Sequence, residues 1–322
     1  MKLKEVCKGF GLMNLVILMI FVPHSRADIS GDLMVFHAGS LSVPFKEVAR
    51  AFKKEYPGVR VTLEAAGSRA SARKISDLNR EADVFGSADY TVIDALLIPD
   101  HASWTIRFAA NEMVLAYTEH SRYAREISND NWYEILKKND VAYGRADPNS
   151  DPCGYRTVLT SKLAEQHYGQ SGLSKQILDK DRRHIRPKET DLIALLEVGE
   201  IDYIFIYRSV ASQHGLKWVT LPDEINLKNP AMAGIYESVN VEISGKKPGS
   251  TITKPGAPMV YGVTIPTKVT NPEAAVVFVE FLLENSKGIA IMERNGQPSL
   301  VPSFSDTYDN IPAELQKFAR KQ

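Results

Sequence analysis

From residue 33 onward the chain alternates short apolar runs with amphipathic stretches across brief junctions, which is the pattern of an α/β sheet built from βαβ units. Residues 33–37 (LMVFH) read as a buried strand. After Pro44, the residues Phe45, Val48, Ala49 and Phe52 fall at helical spacing until Tyr56-Pro57-Gly58 stops the helix. Residues 59–63 and 82–85 read as the next strands, with helices over 70–80 and 90–97. A second set of strands follows at 141–143, 203–206 and 217–221, interleaved with helices over 156–168, 191–198 and 209–214. Residues 107–117 read as one extended run, with Asn111-Glu112-Met113 near its middle, long enough to pass from one lobe into another. Residues 259–265 suit a return crossing, and Asn271-Pro272-Glu273 starts a closing helix with Pro at its first position. Residues 222–256 carry Pro, Gly and Lys with no strong period apart from 238–243, and read as a surface excursion. The expected organisation is one lobe from 28–110 with 262–322 and a second from 111–261.

The first 27 residues read as a targeting segment. Lys2, Lys4 and Lys8 lead into an almost unbroken apolar run over 10–22, and Ser25-Arg26-Ala27 offers the small residues that a signal peptidase needs. That run of about twelve residues is short of the roughly 20 needed to cross a bilayer, and nothing beyond residue 27 is longer. Cleavage is expected after Ala27, which places the protein in the periplasm or outside the cell. Cys7 precedes the apolar run, so a lipid anchor at the cleavage point is not expected. With the segment removed, the 39 basic and 39 acidic residues fall to 35 and 38, a net charge of −3. That balance is no nucleic-acid footprint. Only Cys153 of the two cysteines then remains, which excludes a disulfide within the chain.

Three junctions in the first lobe share one chemical character: His37-Ala38-Gly39-Ser40, Ala65-Ala66-Gly67-Ser68 and Phe85-Gly86-Ser87-Ala88-Asp89. Each runs from a strand end through small residues to a helix start. The carboxyl ends of parallel strands open into the crevice where α/β proteins bind ligands. Helix N-termini there offer unpaired N–H groups and partial positive charge. Gly admits an anion close to the backbone and Ser adds a hydroxyl donor, so a small dianion can be held without Lys or Arg. A single Ser at such a place is more often a cap. Repetition at successive strand ends favours a site, most strongly at Ser40 and Ser68, with Ser87 open between the two roles. The second lobe adds acidic junctions at 147–156, containing Asp151, and at 187–191, containing Asp191. Their chemistry alone fits simple helix caps.

The stretches VFHAGSL at 35–41, EAAGS at 64–68, SADYT at 87–91, DPCGYR at 151–156 and IDYIFIYRSVA at 201–211 resemble the archaeal-type molybdate/tungstate-binding proteins of ABC importers. With NWYEIL and EINLKNP the resemblance spans nearly the whole chain after the targeting segment. It implies a two-lobed α/β fold of the periplasmic-binding-protein type (type II), with the ligand in the interlobe cleft. The implied ligand is molybdate or tungstate, the implied partner an ABC permease, and neither cofactor nor catalysis is expected of a monomer. In that family two protein carboxylates supplement the four oxo groups of the metal, while Ser hydroxyls and N–H groups bind the oxo atoms. By motif Asp151 is the first carboxylate, Ser40 and Ser68 are the hydroxyl donors, and Tyr207 is either a further donor or a strand-end packing residue. The second carboxylate is similar in position to Asp191, where the family pattern has Glu.

Two other readings compete. A ferric-binding protein would use Tyr203 and Tyr207 with an acid as hard oxygen ligands, leaving the Gly-Ser junctions without a role. Another oxyanion would use the same junctions. An enzyme is disfavoured by the lack of a G-x-S-x-G elbow, P-loop, H-E-x-x-H or complete G-x-G-x-x-G pattern. His37, the histidine closest to the junctions, reads as a strand-end packing residue.

Overall fold

Two five-stranded sheets carry the structure, a computed structural model that describes residues 29–321. The expected targeting segment lies outside the described residues. The chain enters with β1 (Gly31–His37), α1 (Ser42–Glu55), β2 (Val59–Ala65), α2 (Ser68–Ser76), β3 (Val84–Ser87), α3 (Tyr90–Leu96) and β4 (Ile106–Ala110). Strand β1 is parallel to β2 and to β3. Its Leu33, Val35 and Phe36 are fully buried because helices cover both faces of the sheet. Helix α1 turns Pro44, Phe45, Val48 and Phe52 inward. Phe52 meets Phe278 and Phe281 of the helix Pro272–Leu283 edge-on at 5.2 and 5.5 Å, so the closing helix packs on the first lobe.

The second sheet holds β5 (Met113–Tyr117), β6 (Tyr143–Ala146), β7 (Ile185–Arg186), β8 (Tyr203–Tyr207) and β9 (Lys217–Thr220), with α4 (Trp132–Lys137) and α5 (Pro152–His167) among its helices. A two-stranded sheet of β10 (Asn240–Ser244) and β11 (Thr251–Pro255) follows, and β12 (Val260–Thr264) rejoins the first sheet. The strand orders are β2-β1-β3-β12-β4 and β7-β6-β8-β5-β9. Each lobe thus has the same plan, with one antiparallel strand supplied by an interlobe crossing. Among the described residues no helix is long and apolar enough to cross a membrane.

Two expectations are corrected. Residues 107–117 are not one strand: β4 pairs in the first sheet and β5 in the second. Between them Asn111 Oδ1 accepts the Glu112 N–H at 2.9 Å, so that N–H is bonded locally rather than in a strand ladder. Residues 222–256 are not wholly surface excursion, because β10 and β11 pair over five positions and bury Val241 and Ile243. That small sheet also reaches the first lobe, where the Arg69 guanidinium on α2 donates to the Ser244 carbonyl.

Candidate functional site

The three strand-to-helix junctions of the first lobe face the second lobe directly. The Ala70 N–H donates across the cleft to the Ser150 carbonyl at 3.1 Å. A Cβ added at Gly67 would lie 2.4 Å from the Ser150 carbonyl oxygen and 2.9 Å from that of Pro187, so only glycine permits this approach. Arg69, almost wholly buried, also donates to the Asn149 carbonyl at 3.2 Å. The lobes are therefore closed on each other.

Ser40, Ser68 and Tyr207 are all buried at this interface. Ser40 Oγ accepts from the Tyr261 hydroxyl at 2.9 Å, Ser68 Oγ from the Ala88 N–H at 3.0 Å, and Tyr207 Oη from Arg156 Nη1 at 2.9 Å. In each case the protein contact occupies a lone pair. Each hydroxyl proton is left without a protein acceptor among the described residues, and is thus available to an oxygen ligand. Gln297 Nε2 holds the Ser40 carbonyl at 3.0 Å and so fixes the backbone of that junction. Ser87 differs: its hydroxyl donates to the Asp89 carbonyl at 2.6 Å and accepts the Asp89 N–H, a closed local turn.

Asp151 is the N-cap of α5, its Oδ1 accepting the Cys153 N–H at 2.7 Å. The same carboxylate accepts the Glu189 N–H through Oδ2 at 3.2 Å, which brings the two acidic junctions together. Glu189 is 1% exposed, and among the described residues no group donates a hydrogen bond to either oxygen of its carboxylate. A Cβ added at Gly39 would stand 2.8 Å from Glu189 Oε2, so this carboxylate lies against the first Gly-Ser junction. Burial, and then the Asp151 charge, push the Glu189 carboxyl well above its ordinary value; burial also raises Asp151. A desolvated carboxylate with both oxygens bare, set beside a second that only backbone N–H groups hold, is costly unless something cationic or Lewis-acidic receives it.

Asp191 does not take that position. Its side chain is 41% exposed and pairs with Lys188 Nζ at 3.1 Å on the outside of a 3-10 turn, Glu189–Leu192. The acid turned inward is Glu189, two residues earlier. The Glu of the RPKETD stretch, the residue type that the family pattern calls for, was the sequence signal that an alignment on the helix start passes over.

A second cross-lobe contact stands beside the site. The buried Asp89 carboxylate of the first lobe receives the Tyr155 hydroxyl, Lys254 Nζ at 2.9 Å and Arg156 Nη2 at 3.6 Å, all from the second. Burial alone would raise Asp89, but the Lys254 and Arg156 charges hold it far below the ordinary carboxylate range. None of this was legible in spacing.

The ferric reading finds no geometry. Tyr203 donates its hydroxyl to the Arg122 carbonyl. Four residues along one strand also put Tyr203 and Tyr207 about 13 Å apart. Burial further raises the Tyr207 phenol, disfavouring the phenolate that a ferric ion needs. His37 is buried against Phe45 with Nδ1 on the Ala38 carbonyl, and burial lowers it to about 4, so it is neutral in ordinary conditions.

A family model described as bacterial extracellular solute-binding protein matches residues 33–297. An uncharacterized solute-binding protein of Petrotoga mobilis is 54% identical over 294 residues, covering 91% of each chain. The molybdate/tungstate-binding protein WtpA of Pyrococcus abyssi is 43% identical over 314 residues, covering 89% of each. Among solved structures, the periplasmic molybdate-binding protein of Azotobacter vinelandii aligns with a TM-score of 0.56 at 18% identity, covering 82% of this chain and 98% of that one. At that identity the likeness bears on the fold alone.

Proposed function

We propose a molybdate- or tungstate-carrying function from one premise: the chain belongs to the bacterial extracellular solute-binding protein family. The oxyanion sits between the lobes. Ser40, Ser68 and Tyr207 donate their free hydroxyl protons to its oxo groups, and Asp151 and Glu189 bring carboxylate oxygens to the metal. Glu189 thus has the role that the sequence pattern points to at Asp191. Closure about the crossings at 110–113 and 255–260 assembles the two halves of the site. The loaded, closed form is the one delivered to an ABC permease in the membrane. The protein works outside the cytoplasm, as a monomer freed of its targeting segment, and its role is binding rather than catalysis.

The observation that carries this reading is the pairing of three outward-donating hydroxyls with a buried carboxylate that no group among the described residues satisfies. An oxyanion beside these two carboxylates is repelled unless its central atom accepts them as ligands. Molybdenum and tungsten are large enough to take more than four oxygens, whereas sulfur in sulfate and phosphorus in phosphate are not. Those smaller anions would face two negative groups with no bond in return. Isothermal titration of the protein without its targeting segment is expected to show tight binding of tungstate and of molybdate, with no saturable heat from sulfate at about 1,000 times the concentration. Comparable affinities for sulfate and tungstate would overturn the assignment.

A further inference from the structure

We propose that Asn111, at the crossing between the two sheets and outside the ligand cleft, is a positioning residue that sets the direction in which the Ser40 hydroxyl donates. The inference rests on the reading of Ser40 as an oxyanion donor and deepens it. Asn111 is 4% exposed and lies between β4 and β5. Its amide cannot flip, because Oδ1 is held by two groups that can only donate, the backbone N–H of Glu112 at 2.9 Å and that of Ser209 at 3.4 Å. Nδ2 must then face the other way. Its two protons go to Ser209 Oγ at 2.7 Å and to the Tyr261 hydroxyl oxygen at 2.9 Å.

Tyr261 sits on β12, the returning strand, and is fully buried. Its hydroxyl accepts from Asn111, so its one proton is directed to Ser40 Oγ at 2.9 Å. Burial raises the phenol to about 12, so the proton stays on Tyr261. Ser40 Oγ therefore accepts, and its own proton turns into the cleft. The polarity of the whole chain is anchored at the backbone of the crossing segment. A hydroxyl left to rotate could equally present a lone pair to an anion, so this relay removes the wrong orientation before the ligand arrives.

Asn111→Asp is nearly isosteric and reverses the relay. The carboxylate accepts the Tyr261 proton, Tyr261 accepts that of Ser40, and Ser40 presents a lone pair to the oxyanion. Tungstate affinity is measured by titration for the wild type, Ser40→Ala, Asn111→Asp and the double variant, with melting curves to verify folding. Ser40→Ala is expected to weaken binding about tenfold, as loss of a hydrogen bond to a charged ligand does. Asn111→Asp is expected to weaken it about 30-fold alone but less than about threefold in the Ser40→Ala background, since reversal has nothing left to act on. An additive double variant overturns the relay, because a charge or folding effect of the new carboxylate persists without Ser40. An unchanged affinity in Ser40→Ala instead overturns the reading of Ser40 as a donor. Where Asn111→Asp does not fold, Tyr261→Phe runs the same cycle: a fall of about fivefold that disappears without Ser40 supports the relay, and an additive one overturns it.

Discussion

Glu189→Gln is expected to lower tungstate affinity about 100-fold, whereas Asp191→Ala should change it by less than about threefold. The contrast follows from where the two acids sit. Glu189 is buried with both oxygens bare, next to Asp151 and Gly39. Asp191 is partly exposed and ion-paired on the outside of the same turn, and such pairs contribute little. Glutamine keeps the size of the side chain and removes the anionic oxygen that the metal would take. The same substitution has an opposite effect on the empty protein. Because burial and Asp151 raise the Glu189 carboxyl, the stability of the closed, empty form is full below the ordinary carboxylate range and lost as pH rises through the raised value. At neutral pH the wild type thus closes against a charge penalty that the amide lacks. Small-angle scattering of the ligand-free proteins should show Glu189→Gln as the more compact at neutral pH, with the difference vanishing near about pH 4. Equal losses of affinity from Glu189→Gln and Asp191→Ala would contradict the assignment.

Asp89→Asn is expected to weaken binding about 30-fold without touching the ligand. Its carboxylate is the first lobe's contribution to a buried ionic contact with Lys254 and Arg156 of the second. Removing one member of a buried, hydrogen-bonded charge pair costs about 2–5 kcal/mol, mostly in the release rate. We take the lower end, because the Lys254 side chain keeps 16% of its solvent exposure. The folded value of Asp89 is depressed, so its contribution is complete above the ordinary carboxylate value and lost only as pH falls through the lowered one. Across the neutral range the contact is therefore intact in the wild type. Stopped-flow displacement should show faster tungstate release from Asp89→Asn, with an association rate within about threefold of the wild type. An unchanged release rate would show that this cluster does not hold the lobes together.

Much of the first lobe could be read from its residues. Residues 33–36 of β1 form a continuous apolar run, and α1 repeats its apolar positions at helical spacing, so both are visible in a local window. The Gly-Ser junctions were visible for the same reason, because a strand end, a small residue and a helix start are neighbours in sequence. The break at Asn111-Glu112 was not, since an isolated polar pair also occurs within strands, and Asn111 is fixed by partners far away in the chain, Ser209 and Tyr261. Of the β10–β11 sheet only the alternation over 238–243 stood out, because the residues of β11 are almost all exposed and carry no apolar face to mark a strand. Placing the second carboxylate at residue 191 tied an acid to the first turn of an α-helix. Here a 3-10 turn precedes the α-helix Ile193–Glu197, and its tighter winding turns residue 189 inward and residue 191 out. Contacts such as Asp89 with Lys254 join segments far apart in the chain, and no spacing rule reaches them.

The central claim is that the protein completes the coordination of the metal with Asp151 and Glu189 rather than merely hydrogen-bonding a tetrahedral anion. Tungsten L-edge X-ray absorption on the tungstate complex in solution reads this directly. Six oxygen neighbours are expected, four short oxo bonds and two longer carboxylate bonds, with one long bond missing in Glu189→Gln. A single shell of four oxygens, the same in wild type and variant, would contradict the account.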